Sequence, residues 1–353
     1  MTLVMPMAAI AEAPASAMVR PIPKRDGAQL LTVGIDVGGT KTACVVTDAD
    51  DQILLHSVEP TEPERLTGQL SALVRNAIQH FATDDERAIA AVGVAVPGFV
   101  EPRTGNVGLA VNLGGSDLAL GSLLAQSVGL PCYVEHDARA AAAWIHATSN
   151  RADETDNTDM AYLSVGTGIS AGIVLDGRVL RGANGLAGEV GHILGDPAAG
   201  RCACGLDGCY EVIAAGPALT RLARSTSSHG ARTILPADAT GADVFRAAAE
   251  GDEIAVELAA TVAGRLAHII RGLVLTLGVN RVVVGGGVAA AGEALLRPLL
   301  EDIGRERRAS PLVQAAFSRT TIELLSPSVE AGARGAAAIA RQRVEADHRE
   351  GVG

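Results

Sequence analysis

Aromatic side chains are scarce in this chain: one Trp, three Tyr and four Phe make up 2% of its 353 residues. A core must therefore be assembled from Ala, Val, Leu and Ile, and the aromatic platforms on which single-stranded nucleic acids stack are excluded. Long hydrophobic runs are missing as well; none reads as the roughly 20 apolar residues that span a bilayer. Cysteine is sparse, five in all, and three of them crowd into Cys202–Cys209, which is no disulfide framework. Basic charge is in deficit. Lys plus Arg number 29 against 40 Asp plus Glu, a net charge of −11, with no basic run to attract nucleic acid or an anionic membrane. The segment before Ala15-Ser16-Ala17 has no basic n-region and is interrupted by Pro6, Glu12 and Pro14, so it does not read as a secretory signal. Residues 1–28 are Ala/Pro-rich without periodicity, and Met5, Met7 and Met18 offer alternative starts. A disordered leader and a cytoplasmic protein are expected.

What is present is enough for two globular domains: 48% of the residues are hydrophobic and the length exceeds one ordinary core. Leu30–Asp36, Thr42–Asp48 and Gln52–Val58 read as a three-strand meander turning at Asp50-Asp51. A helix follows from Pro63 to about Phe81, then a buried strand Ala88–Val96. After a polar linker, Ser149–Asp159, the pattern returns: Met160–Val165, Ile169–Leu175, a turn at Asp176-Gly177, then Arg178–Arg181. The two meanders open alike, which is weak internal repetition. Helical patterning fills Thr240–Leu277, Arg281–Val284 and Thr321–Leu325 supply strands, and a helix over Val329–Arg343 closes the pattern. Two α/β lobes with a cleft between them are expected.

Five constellations carry chemistry. Asp36-Val37-Gly38-Gly39-Thr40-Lys41 ends a strand in paired glycines, which let backbone N–H groups approach a phosphate. Asp36 can hold Mg²⁺ through water, with Thr40 and Lys41 on phosphate oxygens; a plain tight turn would look the same, and the spacing is not that of a Walker A loop. Gly166-Thr167-Gly168 offers a second clamp, and Gly285-Gly286-Gly287 a backbone against which a nucleotide can lie. The sharpest signal is His192 followed by Cys202, Cys204 and Cys209 in a C-x-C-G-x-x-G-C loop: three thiolates and an imidazole make a closed set suited to structural Zn²⁺. Glu189 and Glu211 flank that loop and suit the vicinal hydroxyls of a sugar. Finally, Glu135-His136-Asp137 joins a strand to a helix. Asp137 is either a helix N-cap or a general base that accepts a proton late in phosphoryl transfer.

Together these residues resemble the ROK family (repressors, open reading frames, kinases) of the actin-like ATPase superfamily, from about Leu31 to Ala340. The resemblance rests most on E-x-G-H at Glu189–His192 and C-x-C-G-x-x-G-C-x-E at Cys202–Glu211. It implies a two-lobed ribonuclease H-like fold with central mixed sheets: a small lobe of residues 29–148 plus 328–345, a large lobe of 149–327 carrying zinc loop 189–211, and a tail at 346–353. It implies a hexose kinase using ATP and Mg²⁺, glucose first and N-acetylglucosamine or N-acetylmannosamine second, phosphorylated at O6. By resemblance Asp137 is the base; Gly98, Asn112, His136, Glu189, His192 and Glu211 read the sugar; His192, Cys202, Cys204 and Cys209 hold zinc. A homodimer or homotetramer is implied too. The chain departs from the family pattern at His136, where Asn is usual, at Arg139, and after Asn112-Leu113, where a tryptophan is common. A sugar-responsive repressor of the same family would carry a winged helix-turn-helix of roughly 70 residues before the first strand. Only about 30 precede it here, so DNA binding is not expected; a non-catalytic sugar sensor is the remaining rival.

Overall fold

The computed structural model describes residues 29–101, 104–108, 118–149, 159–228 and 233–350; the expected leader lies outside them. Three strands, β1 (Gln29–Val37), β2 (Lys41–Thr47) and β3 (Ile53–Pro60), form the meander, followed by helix α1 (Leu66–His80) and strand β4 (Arg87–Val96). Helix α2 (Leu120–Val128), strand β5 (Cys132–His136) and helix α3 (Asp137–Ser149) complete the first half. The second half opens with β6 (Met160–Val165), β7 (Ile169–Leu175) and the short β8 (Arg178–Val179). Helices α4 (Tyr210–Ala214), α5 (Gly216–Ser228), α6 (Gly241–Ala249) and α7 (Glu253–Leu277) follow, then β9 (Arg281–Gly285), α8 (Glu293–Ala309), α9 (Pro311–Ala316), β10 (Thr321–Leu324) and α10 (Ala331–Glu350).

The faint internal repeat is a repeat of topology. One sheet runs β3-β2-β1-β4-β5 and the other, read from its far edge, β8-β7-β6-β9-β10. In each the three meander strands are antiparallel and the last two join in parallel. The central strands are buried almost throughout, Leu31–Ile35 and Met160–Leu163 among them, because helices cover both faces, and so they read as continuous apolar runs rather than alternating ones.

The halves meet through two helices. Helix α10 lies on β1 and β4, α3 lies on β6 and β7, and the two helices pack on each other. A Cβ at Gly335 of α10 would stand 2.0 Å from the carbonyl oxygen of Ala140 in α3, so the backbones meet with no side chain between them.

Three differences from sequence-based expectation have physical causes. The helical stretch after Thr240 is two helices: Thr240 and Asp243 form a reciprocal cap on α6, Gly251 breaks the chain at φ 88°, and Asp252 caps α7. The closing helix continues to Glu350, through much of the expected tail, and Tyr133 Oη donates to Asp347 Oδ2 at 2.8 Å on the way. Helix α7, 25 residues with a window of mean hydropathy 1.5, is long and apolar enough to cross a membrane, against the expectation of no such stretch. Arg265, His268 and Arg271 interrupt its sequence, which is why it does not read as a run. Half of that window is buried, with Val262, Leu266 and Ile270 in the larger core.

Candidate functional site

Each sheet ends its first strand in a glycine turn, and the turns face each other. After β1, Gly38 N–H donates to Lys41 O at 2.8 Å, and Thr61 Oγ1 donates to Gly38 O at 2.7 Å. After β6, Gly166 N–H donates to Gly168 O at 2.9 Å. A Cβ on Gly39 would lie 4.0 Å from Thr167 Oγ1. Between the turns opens a cleft of about 1280 Å³ lined by Asp36, Gly38, Gly39, Thr40, Lys41, Gly98, His136, Asp137, Gly166, Thr167, Gly168, Glu189, His192, Glu211 and Gly287. That volume exceeds the usual pocket for one drug-sized molecule, roughly 300–1,000 Å³, and has room for two ligands side by side.

Asp36 sits at the end of β1. Burial pushes its carboxyl up to about 7; the negative Asp137 and Glu330 push the same way, and Lys41 opposes them. A divalent cation beside Asp36 would relieve that crowding of carboxylates and reverse the shift, so a carboxylate in this place suits Mg²⁺.

Asp137 opens α3 at the floor of the cleft. Its Oδ1 accepts the adjacent Ala138 N–H at 2.6 Å rather than an amide two or three residues on, as an N-cap would. His136 is buried between two carboxylates, with Nδ1 3.2 Å from Asp137 Oδ1 and Nε2 3.5 Å from Glu189 Oε1, and Nδ1 has no hydrogen-bond partner among the described residues. Its neighbour Glu135 belongs to a buried ion-pair network. Arg139 Nε donates to Glu135 Oε1 at 2.7 Å, Arg181 Nε to Oε2 at 2.9 Å, and Arg139 Nη1 to Gly185 O at 2.8 Å. Burial raises the Glu135 carboxyl, but the two guanidiniums and the His136 amide outweigh it and hold the pKa below its ordinary value.

The donor atoms of His192, Cys202, Cys204 and Cys209 all lie within 4.8 Å of one another. Cys202 Sγ is 3.7 Å from His192 Nδ1 and Cys204 Sγ is 3.6 Å from Cys209 Sγ. Tetrahedral Zn²⁺ with ordinary bond lengths needs donor separations of about 3.6–3.8 Å, so the set fits zinc. Behind it, His192 Nε2 lies 3.9 Å from Glu189 Oε2.

Not every residue singled out in the sequence reaches the cleft. Gly287 does, whereas Gly285 and Gly286 answer to the protein's own packing: a Cβ would stand 2.4 Å from the Tyr162 ring and 2.5 Å from Val165 O, respectively. Arg139 is turned into the network behind the cleft. Asn112 lies outside the described residues. Sequence reasoning missed other walls of the cleft, Pro217, Thr240, Phe245, Arg246, Ala290 and Ala291; helical Ala and Phe positions look like core, and no motif marks them. It also missed Glu330, which holds positive φ at 52° and stands 3.9 Å from Lys41 Nζ and 3.6 Å from His56 Nε2.

Comparison with known proteins bears on this geometry. The sequence model of the ROK family matches residues 32–343. An N-acetylmannosamine kinase of Escherichia coli O9:H4 is 37% identical over 268 residues, 74% of this chain and 84% of that protein. A glucokinase of Halalkalibacterium halodurans is 32% identical over 277 residues, 76% of this chain and 83% of its own. Among solved structures, a ROK family glucokinase from Streptomyces griseus in complex with glucose and AMPPNP superposes with a TM-score of 0.74 at 31% identity, covering 88% of this chain and 99% of that one.

Proposed function

The chain belongs to the ROK family, and from that premise we propose that it is a sugar kinase that moves the γ-phosphoryl group of ATP onto a hexose hydroxyl, O6 of glucose in the first reading. The observation that carries the reading is a single cleft in which Asp137 lies with both glycine turns and with the polar wall of Glu189, His192 and Glu211. The turns at Gly38–Lys41 and Gly166–Gly168 cradle the phosphates with backbone N–H groups, and Lys41 adds positive charge. Asp36 would hold the Mg²⁺ that accompanies ATP, and that ion would supply charge neutralisation at the phosphates. Glu189, His192 and Glu211 orient the sugar, with His136 beside them. Asp137 accepts the hydroxyl proton late in the transfer, since a carboxylate is too weak a base to remove it beforehand. His192, Cys202, Cys204 and Cys209 would hold a structural zinc, which would brace the loop between Glu189 and Glu211. Approach of the two lobes excludes water and aligns hydroxyl and phosphorus.

N-acetylmannosamine is the second reading, favoured by the 37% identity to the kinase named for that sugar. Coupled ADP release with ATP·Mg²⁺ against glucose, N-acetylglucosamine, N-acetylmannosamine, mannose and fructose separates the two. Turnover with one sugar names the substrate; sugar binding by calorimetry without turnover would make the protein a sensor. Asp137→Asn is expected to lower kcat by about 10²–10⁴ with sugar affinity nearly unchanged, and near-normal turnover would remove Asp137 from the role of base. A homodimer or homotetramer in the cytoplasm belongs to the same reading, and light scattering on the purified protein tests the assembly.

A further inference from the structure

We propose that Glu211 is a positioning residue for the glycine turn Gly166–Gly168, and that through it the cysteine loop sets nucleotide affinity. The proposal rests on the kinase reading and concerns the phosphate side of the cleft, whereas Glu211 drew attention in the sequence only as a sugar contact.

The chain from Cys209 to Gly216 runs from the metal-ligand set to the turn. Cys209 is the residue before α4, and Glu211 stands in that helix's first turn. Glu211 Oε2 accepts the N–H of Ile169, the first residue after the turn, at 3.0 Å. Its other oxygen, Oε1, is 4.0 Å from Cys202 Sγ. At the far end of α4, Gly216 N–H donates to Gly166 O, the first carbonyl of the turn, at 2.9 Å. One segment thus grips the turn at both ends. Gly168 takes part sterically: a Cβ there would stand 2.6 Å from Glu211 Oε2, so the carboxylate fills the space that a side chain would need.

Helix α4 has only five residues, too few to hold its shape alone. Its C-terminal end is fixed by Ile213 and Ala214 in the larger core, by Arg265 Nη1 donating to Ile213 O at 2.5 Å and by the Gly216–Gly166 bond. The end that carries Glu211 is held by Cys209 and by Tyr210 N–H donating to Ile193 O at 3.0 Å. Glu211 lies two residues from Cys209, so loosening the cysteine loop loosens the end of α4 that carries Glu211, and a displaced Glu211 leaves Ile169 N–H without its partner and the turn without one anchor. A turn that must be ordered by the incoming phosphates binds them more weakly.

Electrostatics makes the opposite forecast, which gives the test its edge. A carboxylate beside a phosphate-binding turn repels a triphosphate, so if charge were all that mattered, its removal would tighten nucleotide binding. The experiment compares Glu211→Ala, which removes acceptor and charge, with Glu211→Gln, which removes the charge and keeps an acceptor. Binding of the β,γ-imido analogue of ATP with Mg²⁺ is measured by calorimetry without sugar, and deuterium exchange is followed over the peptide containing Ile169. For Glu211→Ala, roughly tenfold weaker binding is expected from the loss of a hydrogen bond to a charged group, with faster exchange. Glu211→Gln should stay within about threefold of wild type, the Gln oxygen making a neutral bond in place of the charged one. Wild-type protein stripped of zinc and returned to Mg²⁺ buffer should behave like Glu211→Ala. Equal loss in both variants, no loss in either, or tighter binding in both would overturn the inference alone. A wild-type protein that binds no ATP analogue would overturn the kinase reading, and this inference with it.

Discussion

At Glu135 two guanidiniums meet one carboxylate inside the protein, with Arg139 1% exposed and its Nη2 lacking a partner among the described residues. Arg139 stands out in the sequence as a departure from the family pattern, and the structure shows where it acts: through Glu135 and Gly185 O on the loop that leads to Glu189, not on the cleft wall. The departure at His136 is of another kind, since that imidazole lies on the wall itself between Asp137 and Glu189. Glu135→Gln would leave a buried guanidinium short of its counter-charge, a loss of about 3–5 kcal/mol readable by urea unfolding at neutral pH. The sign of the pH dependence follows from the lowered pKa. The contribution of Glu135 is present above the ordinary carboxylate range and fades as pH falls through the depressed folded value. The variant should therefore show a smaller loss of stability on acidification than wild type. An unchanged unfolding curve would make the network incidental.

Among the elements, the cysteine loop was the most legible, because ligand spacing is a local property: C-x-C and G-C within eight residues force the thiols together whatever the rest of the fold does. Cys204→Ser is expected to lose bound zinc and to lower both Tm and sugar affinity; zinc content by mass spectrometry and a melting curve check it. Retention of both zinc and Tm would remove Cys204 from the ligand set, and wild-type protein purified without zinc at an unchanged Tm would remove the structural metal. Strands were nearly as legible, with Met160–Val165 and Ile169–Leu175 read to the residue, since buried β-branched runs between turns have few other solutions. Helices fared worse. Leu120–Val128 and Gly216–Ser228 left no clear signal, and α7 hid its apolar length behind three basic residues, because a helix buries one stripe while the sequence presents all sides at once.

In the molecule as a whole, the two sheets are joined through α3 and α10, which approach most closely at Gly335 and Ala140. The turn between β2 and β3 adds a polar rivet: Asp51 Oδ2 accepts Trp144 Nε1–H at 2.6 Å and Arg334 Nη2–H at 2.6 Å, while the Arg334 guanidinium lies 4.6 Å from the Trp144 ring centre. Gly335→Val would drive a side chain into the Ala140 carbonyl, and a loss of at least about 3 kcal/mol is expected, the upper end for overpacking. Gly272→Ala, at a helical position with open space around it, should instead be neutral or stabilise by up to about 1 kcal/mol; similar unfolding midpoints for the two variants would show that the close approach is not needed. The sequence by itself determined the strands, the clustering of three cysteines in one loop and the family, because each rests on short-range pattern or on residues a few positions apart. Tertiary structure alone decided which glycines face the cleft and which merely let backbones touch, and that Arg139 turns inward while His136 lines the wall. It alone decided, too, that Glu211 reaches the turn 42 residues earlier in the chain. These outcomes depend on which elements the fold brings together, and burial and contact across such distances leave no periodicity to read.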